Sequence, residues 1–431
     1  MRILKSDKEI TVFLKLLRKR AAGVNPGIEK TVKNILADVK KKGDKAVEKY
    51  TSRFDKHDLP LKVKVSEIRK FAKKADKKVV SALEISANRI RDFHVRQKET
   101  SWSYKKEGEL LGQIIRPIER AGVYVPGGKA SYPSTVLMNV IPAQAAGVKE
   151  IALCVPTPDG ETNPYVMAAI ELLGVKEVYR IGGAQAIGAM AYGTEGMRKV
   201  DKIVGPGNIY VAMAKKLVFG EVDIDMIAGP SEILIIADNT ANPAFVAADI
   251  LSQAEHDELA SSILATDSEN LANSVVLELN KQLGMLKRKD TARRSLRRFG
   301  AIILRRNITE AVETANEIAP EHLEIMTKAP GDYLDAIKNA GAVFLGQWTP
   351  EPLGDYSAGP NHTLPTGGTA RFSSPLGVYD FIKRMSLLQF DRKRFMLISD
   401  TVEAIADIEG LEAHANTVRI RRDSLKKIKT S

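Results

Sequence analysis

The sequence predicts an α/β protein with two Rossmann-like parallel-sheet lobes, a helical N-terminal segment and a helical C-terminal appendage. First, short β-branched runs alternate with helical runs after Leu110, as is typical of parallel strands joined by helical crossovers. Second, the strand-like runs are too numerous for one small sheet. Third, 431 residues with 44% hydrophobic content are enough for two or more domains. We therefore expect a site in the cleft between two lobes.

The first hundred residues are predicted to form helices with solvated basic faces. Ser6 to Glu9 has capping-box spacing, and lysines farther on alternate with apolar residues at helical spacing. Residues 1–110 hold 30 Lys and Arg against 15 Asp and Glu, whereas the rest of the chain holds 35 against 38. The net charge of +12 therefore comes from this segment. A nucleic-acid-binding protein is the alternative, but no RNP-like string, Arg-rich loop or zinc-finger spacing supports it, and we expect no such partner.

The middle of the chain supplies the predicted strand and helix pairs. In chain order they are IALCV with NPYVMAAIELLG, EVYRI with GAQAIGAMAYG, DKIVG with NIYVAMAKKLVFG, and EILIIAD with NPAFVAADILSQAEH. The later strand-like runs are SSILATD, GAIILRR, HLEIMT and AVFLGQ. From Phe381 onward the pattern indicates helices again, through FIKRMSLLQFD and SDTVEAIADIEGLEAHA.

Location and redox state follow from what the sequence lacks. No run of eighteen apolar residues occurs, and the N-terminus has charges scattered through its apolar positions, unlike a signal peptide. We expect a cytoplasmic protein without a membrane partner. The single Cys154 cannot form an internal disulfide and is interpreted as a small core residue.

Three Gly-rich turns each follow a strand-like run and precede a helical one. They are VYVPGGKASYPS, IGGAQAIG and VGPGNIYV. Such turns expose backbone N–H groups at helix N-termini, which suits a phosphate or a dinucleotide. None matches GxGxxG, so the standard Rossmann mode is not supported, and ordinary tight turns remain the alternative.

Two segments combine polar side chains that could act together. In SQAEHD, Gln253 and His256 are three apart and share one face of a predicted helix, where they could meet a metal, a ligand or water. In IAPEHLEI, Glu321 and His322 stand at the mouth of a predicted strand. Adjacent strand residues face opposite sides, but Pro320 makes a turn plausible, and an acid beside an imidazole can form a general-base pair.

Two further segments contribute candidates. The loop Gly354 to Gly377 carries Asp355 and His362 and is long enough to suggest that it lines a site. In GLEAHA, Glu409 and His414 are about 140° apart around a helix, so an ordinary exposed helix is an equally good interpretation. Gln253, His256, Asp355 and His414 together would give a metal site with nitrogen and oxygen ligands, but HExxH and paired CxxC motifs are absent and the spacing does not establish it.

Taken jointly, seven motifs resemble the histidinol dehydrogenase family, in that family's order and through nearly the whole chain. They are VYVPGG, GPGN, AGPSE, LSQAEH, APEHLE, GDYSAGPNH and EGLEAH. The resemblance implies oxidation of L-histidinol through the aldehyde to L-histidine in two NAD-dependent steps. It also implies one Zn²⁺ per subunit, which holds substrate and takes no electrons.

The resemblance assigns roles residue by residue. It implies that His322 is the general base and that Glu321 activates the water that attacks the aldehyde. The implied zinc ligands are Gln253, His256, Asp355 and His414. The implied substrate contacts are Ser231, Gln253, His256, His322, Asp355, His362, Glu409 and His414. The implied NAD contacts are Tyr124, Gln185 and Asn208.

The resemblance further implies a homodimer in which the C-terminal segment reaches into the partner's active site. The predicted domains are an N-terminal helical segment (1–20), a first α/β lobe (21–123 plus 232–376), a second lobe on the NAD side (124–231) and a C-terminal helical dimerisation segment (377–431). The alternatives are a zinc-dependent hydrolase, which leaves the three Gly-rich turns unexplained, and a relative that oxidises another amino alcohol.

Overall fold

The computed structural model of the protein describes residues 1–22, 26–127 and 132–428. The strands are β1 (Arg2–Leu4), β2 (Trp102–Lys106), β3 (Glu109–Pro117), β4 (Arg120–Tyr124), β5 (Glu150–Cys154), β6 (Glu177–Tyr179), β7 (Lys202–Val204), β8 (Asp223–Ile224), β9 (Glu232–Ala237), β10 (Ser261–Thr266), β11 (Ala301–Leu304), β12 (His322–Met326), β13 (Ala342–Leu345) and β14 (Ile382–Phe390).

The helices alternate with the strands through most of the chain. They are α1 (Asp7–Ala22), α2 (Pro26–Lys42), α3 (Asp44–Asp55), α4 (Val65–Ala72), α5 (Lys77–Val95), α6 (Pro133–Ala146), α7 (Pro164–Leu172), α8 (Gly183–Tyr192), α9 (Ile209–Val218), α10 (Pro243–Ala254), α11 (Glu269–Leu283), α12 (Lys289–Phe299), α13 (Ile308–Ile318), α14 (Glu351–Tyr356), α15 (Arg392–Ile408) and α16 (Glu412–Ile428). The capping box at the start of α1 forms as predicted, because the Ser6 N–H donates to Glu9 and the Glu9 N–H donates to the Ser6 hydroxyl.

The chain divides into two compact units. The first unit comprises Met1–Lys98 and Ile118–Phe381, and the second comprises Glu99–Pro117 and the residues from Ile382 onward. The first unit contains two parallel sheets, a six-stranded sheet in the order β1-β11-β10-β9-β12-β13 and a five-stranded sheet in the order β6-β5-β4-β7-β8. The predicted fold class with two parallel-sheet lobes is therefore confirmed.

Each parallel sheet is buried on both faces by helices, which is why its strands are apolar runs without alternation. In β9, Ile233 and Ile235 pack toward α10, α11 and α12, while Leu234 and Ile236 pack toward α1 and α13. The five-stranded sheet has α4 to α7 on one face and α2, α3, α8 and α9 on the other. These two layered lobes hold nearly all of the buried apolar side chains of the first unit.

The packing differs from the predicted domain assignment at the N-terminal side. Helices α2 to α5 pack on the five-stranded sheet, whereas the prediction placed residues 21–123 with residues 232–376. Strand β1 also lies within the segment 1–20, and it pairs with β11 at the edge of the six-stranded sheet. An amphipathic pattern marks which face of a helix is buried but does not specify the sheet that buries it, so these contacts could not be predicted locally.

The second unit is an antiparallel sheet with two helices. Its strand order is β14-β3-β2, and α15 packs against α16. The prediction that FIKRMSLLQFD is helical is wrong, because Ile382–Phe390 is the strand β14. It pairs with β3 over nine residues, a distant partner that overrides the helix-like spacing of its apolar residues. The helical character of the segment that follows is confirmed by α15 and α16.

None of the helices in the described ranges has both the length and the apolar content that a membrane span requires.

Candidate active site

The candidate site lies where the six-stranded sheet and α10 meet. Glu321 immediately precedes β12, and His322 is its first residue, beside the start of β9. Because α10 runs back antiparallel to the strands, its C-terminal end returns to this amino-terminal edge and carries Gln253, with His256 just beyond. Ala319 adopts a left-handed conformation (φ 53°), so the chain turns before Pro320 and the Glu321 and His322 side chains can face one another.

His322 is the centre of the cluster and is held in one tautomer. Its Nδ1 lies 3.0 Å from the carbonyl oxygen of Glu232. A carbonyl only accepts, so Nδ1 carries the proton and Nε2 is the free nitrogen when the ring is neutral. Among the described residues Nε2 has no hydrogen-bond partner, although Asp355 Oδ1 lies 3.5 Å away and Glu351 Oε1 3.9 Å away. A buried nitrogen without a partner is therefore presented to whatever occupies the site.

The charges of the cluster are strongly interdependent. Burial by itself would lower the pKa of His322, but the carboxylates of Glu321 and Asp355 more than offset burial and raise that pKa to about 10. Burial opposes ionisation of Asp355, yet the His322 ring next to it lowers the pKa of Asp355 to about 2. Burial raises the pKa of Glu321 to about 8, against the opposing charge of His322. At pH 7 these shifts leave His322 protonated and Asp355 ionised.

Several atoms of the cluster have the chemistry of metal ligands. Ligand atoms of His322, Glu351 and Asp355 all lie within 4.8 Å of one another. The buried amide of Gln253 lies beside this group, with its Nε2 3.4 Å from His322 Nδ1 and its Oε1 without a hydrogen-bond partner in the described part of the chain. Desolvation lowers the pKa of His256, so its imidazole is neutral at pH 7 and able to donate an electron pair. This donor set of oxygen and imidazole nitrogen suits zinc.

The remaining predicted residues occupy different surroundings. His362, on the long loop, is partly buried, and its Nδ1 lies 3.1 Å from the carbonyl oxygen of Asp355. Ser231 immediately precedes β9, and its carbonyl accepts from Ser261. Glu409 and His414 are exposed residues of the second unit, at the end of α15 and in α16.

Sequence reasoning missed a second layer of carboxyl groups behind His322. Glu324 lies on the same face of β12, and its Oε1 accepts from the backbone N–H of Glu351 at 2.7 Å. Asp249 lies one helical turn before Gln253, and burial raises its pKa to about 6, with the neighbouring Glu324 opposing the rise. Ser252 donates to Glu351 Oε2 at 3.2 Å. Their positions in the sequence could have revealed them. Glu324 is two residues after His322 on a strand, and Asp249 is four residues before Gln253 on a helix, so each residue shares a face with its neighbour.

Glu324 gives a pH-dependent prediction for the metal-free protein. Burial, together with the charge of Asp249, raises the pKa of Glu324 well above its usual value. A carboxyl with a raised folded-state pKa loses stabilisation as pH rises from its unfolded value through its folded value. Glu324→Gln stays neutral and keeps an oxygen for the Glu351 N–H. We therefore expect the loss of thermal stability as pH rises above the unfolded-state pKa of 4.5 to be smaller in Glu324→Gln than in the wild type. Equal losses in a thermal unfolding series would contradict this assignment.

The residues predicted near NAD lie at the carboxyl-terminal edge of the five-stranded sheet. Tyr124 ends β4, and its hydroxyl accepts from the Gly183 N–H at 3.1 Å. Gln185 is in the first turn of α8, and Asn208 caps α9. Residues 128–131 of the first Gly-rich turn lie outside the described residues.

The turn before Asn208 is held by a buried ion pair. Lys215 pairs with Asp225 and donates to the Gly205 carbonyl at 3.0 Å, while the Gly205 N–H donates to Asp225 at 2.8 Å. Gly205 has φ +111°, and a Cβ there would lie 2.1 Å from the Tyr124 carbonyl oxygen, so only glycine fits. This ion pair fixes the turn from which α9 begins.

Comparison with known proteins identifies the family. The histidinol dehydrogenase family model matches residues 18–422. The histidinol dehydrogenase of Aquifex aeolicus is 55% identical over 422 residues, covering 97% of this chain and 98% of that protein. The Bacillus subtilis enzyme of the same name is 52% identical, covering 92% and 94%. The crystal structure of histidinol dehydrogenase from Elizabethkingia anophelis superposes with a TM-score of 0.93 at 40% identity and covers 99% of both chains. This chain is therefore a member of the histidinol dehydrogenase family of oxidoreductases.

Proposed function

We propose that this enzyme oxidises L-histidinol through L-histidinaldehyde to L-histidine, the end of histidine biosynthesis, in two NAD-dependent steps that require one zinc ion per subunit. The observation that carries the proposal is the buried His322, fixed in one tautomer by Glu232, with its free Nε2 facing Asp355 and Glu351. Family membership supplies the reaction class, and these side chains supply the groups that this reaction needs.

The proposed zinc ligands are Gln253, His256 and Asp355, together with His414 of the partner subunit. The unpaired Gln253 oxygen, the neutral His256 ring and the ionised Asp355 carboxylate support this set. When bound, zinc supplies positive charge that favours ionisation of the substrate hydroxyl, and its affinity for nitrogen donors suits an imidazole and an amine. Glu351 belongs to the same cluster and is proposed as a further ligand.

In the first oxidation His322 would accept the hydroxyl proton as hydride leaves for NAD. Hydride departs readily only when the oxygen loses its proton, so a base must lie beside it. The Glu232 carbonyl keeps the other ring nitrogen protonated and so directs Nε2 toward the substrate. Because Asp355 would share its charge with a bound cation, the pKa of His322 should fall from about 10 toward the range in which an imidazole acts as a base.

In the second oxidation Glu321, in its ionised form, would take a proton from the water that attacks the bound aldehyde. Its Oε2 accepts from the Glu232 N–H at 2.9 Å and lies 3.7 Å from His322 Nδ1. These contacts hold the carboxylate next to the base, so the two groups can receive the two protons that hydration and oxidation release. Retaining the aldehyde in a closed site would prevent escape of a reactive intermediate.

The other proposed contacts are carried over from the family motifs. Ser231, His362 and Glu409 would bind substrate, and Tyr124, Gln185 and Asn208 would bind NAD. We also propose a cytoplasmic homodimer in which Glu409 and His414 act in the partner's site. The exposure of both side chains in the second unit supports this arrangement.

The proposal is tested by mixing the purified zinc-loaded protein with NAD and L-histidinol and recording NADH. We expect NADH with L-histidinol and little with an amino alcohol that lacks the imidazole. A folded, zinc-loaded protein that prefers another amino alcohol would contradict the substrate assignment, and one that hydrolyses esters or amides without reducing NAD would favour the hydrolase alternative.

A further inference from the structure

Asp55 is a buried carboxylate for which the proposed chemistry has no role. It is the last residue of α3, and Lys56 after it adopts a left-handed conformation (φ 56°) that turns the chain away. The side chain of Asp55 is buried, and its Oδ2 has no hydrogen-bond partner among the described residues. Burial raises the pKa of Asp55 to about 6, with the backbone N–H of Gly182 opposing the rise. We expect a bound ligand to supply the hydrogen-bond donor that this buried acceptor lacks.

A second buried polar group without partners lies at the same edge of the five-stranded sheet. Gln185 is only 1% exposed, and neither Oε1 nor Nε2 of its amide has a hydrogen-bond partner among the described residues. Its side chain folds back toward the start of α8, since a Cβ on Gly183 would lie 2.8 Å from its Oε1. One amide and one carboxylate therefore offer unpaired atoms at the start of a ten-residue helix.

Glycines let the backbone of the turns beside these two groups pack closely. A Cβ on Gly182 would lie 2.9 Å from Pro156 and 3.1 Å from Asp55 Oδ2, and a Cβ on Gly127 would also lie 2.9 Å from Pro156. These residues follow the carboxyl ends of β4, β5 and β6. That edge of an open parallel sheet is where nucleotides bind.

The charge and burial of Asp55 select among the parts of a dinucleotide. A carboxylate repels a phosphate but accepts a hydrogen bond from a hydroxyl, and acidic side chains in dinucleotide-binding folds bind ribose hydroxyls in this way. The unpaired amide of Gln185 could bond the same sugar or the group next to it, because an amide both donates and accepts.

We propose that Asp55 accepts a hydrogen bond from a ribose hydroxyl of bound NAD and, through its charge, disfavours the 2′-phosphate of NADP. The inference rests on the proposed NAD-dependent function and adds to it a residue that sets cofactor preference. Asp55 is then a binding residue, distant from the proton transfers at His322.

The test compares Asp55→Asn with the matched control Asp58→Asn, an exposed carboxylate three residues away. Asn keeps the size of the side chain and one oxygen that can accept from Gly182. It exchanges the other oxygen for an NH2 group and carries no negative charge. We expect the Kd for NAD, measured by fluorescence titration without substrate, to rise about tenfold or more and the ratio of kcat/KM for NAD over NADP to fall by at least that factor. The KM for L-histidinol should stay unchanged, and Asp58→Asn should behave as wild type.

The outcomes separate this inference from the proposed function. A wild-type enzyme that forms no NADH from L-histidinol contradicts the function itself. A wild-type enzyme that does so, with an Asp55→Asn variant whose NAD to NADP ratio is unchanged, overturns only the role of Asp55. If Asp55→Asn does not fold, Asp55→Ser removes the charge while keeping an acceptor, and the same ratio must fall for the inference to stand.

Discussion

His322→Asn should lower kcat for L-histidinol by about 10²- to 10⁴-fold, the range that general-base catalysis contributes. The asparagine amide can still donate to the Glu232 carbonyl, so the fold around the start of β12 should survive while the proton acceptor at Nε2 is lost. The KM for NAD should change little, because the residues proposed to bind NAD lie on the other sheet. The measurement is the steady-state kinetics of the zinc-loaded variant, together with a determination of its metal content.

The control for this prediction is His94→Asn. His94 is also buried, and its Nδ1 contacts Gln97 at 2.8 Å, far in sequence and function from the cluster. We expect this variant to retain activity within a few-fold at a temperature at which it is folded. A His322→Asn enzyme that keeps near-wild-type kcat and its pH profile would remove His322 from the role of base.

Mixing two inactive variants should restore activity if sites are completed by the partner subunit. In a heterodimer of one His322→Asn chain and one His414→Ala chain, one site lacks both residues and the other has both. Random reassociation would make half of the dimers mixed, so about a quarter of the wild-type activity should return. The measurement is activity after denaturation and refolding of the equimolar mixture, with each variant refolded alone as the control.

A mixture that recovers no activity would contradict sites completed by the partner subunit. If each site uses its own chain's His414, every chain in the mixture retains one defect, and no activity should return even though native mass spectrometry detects mixed dimers. Recovery well above the parents would support the proposed role of the C-terminal helices in the partner's site.

The parallel-sheet architecture could be predicted because it is encoded locally. Runs such as EILIIAD are apolar on both faces, and each is followed by a helix of the length that a crossover needs, as β9 and α10 confirm. Strand β14 could not be found in this way, since its apolar spacing fits a helix and only its pairing with β3 makes it a strand. Likewise, nothing in the Lys-rich helices α2 to α5 specified which sheet they cover.

The site shows the same division between local and distant information. Gln253 with His256, and Glu321 with His322, were recognisable from spacing, and the structure brings the Gln253 amide to 3.4 Å from the His322 ring. Glu351 was missed, because it is an ordinary acidic residue in a short segment until the fold puts its carboxylate beside His322. Asp55 was missed for a related reason, since only tertiary packing buries its carboxylate and leaves one oxygen unpaired.

The measurement that tests the central claim most directly is the yield of NADH per L-histidinol, before zinc is stripped by a chelator, after stripping, and after zinc is restored. We predict two NADH per histidinol, loss of the reaction on stripping and its return with zinc. A yield of one NADH with release of the aldehyde, or a full reaction in a protein shown to contain no metal, would contradict this account.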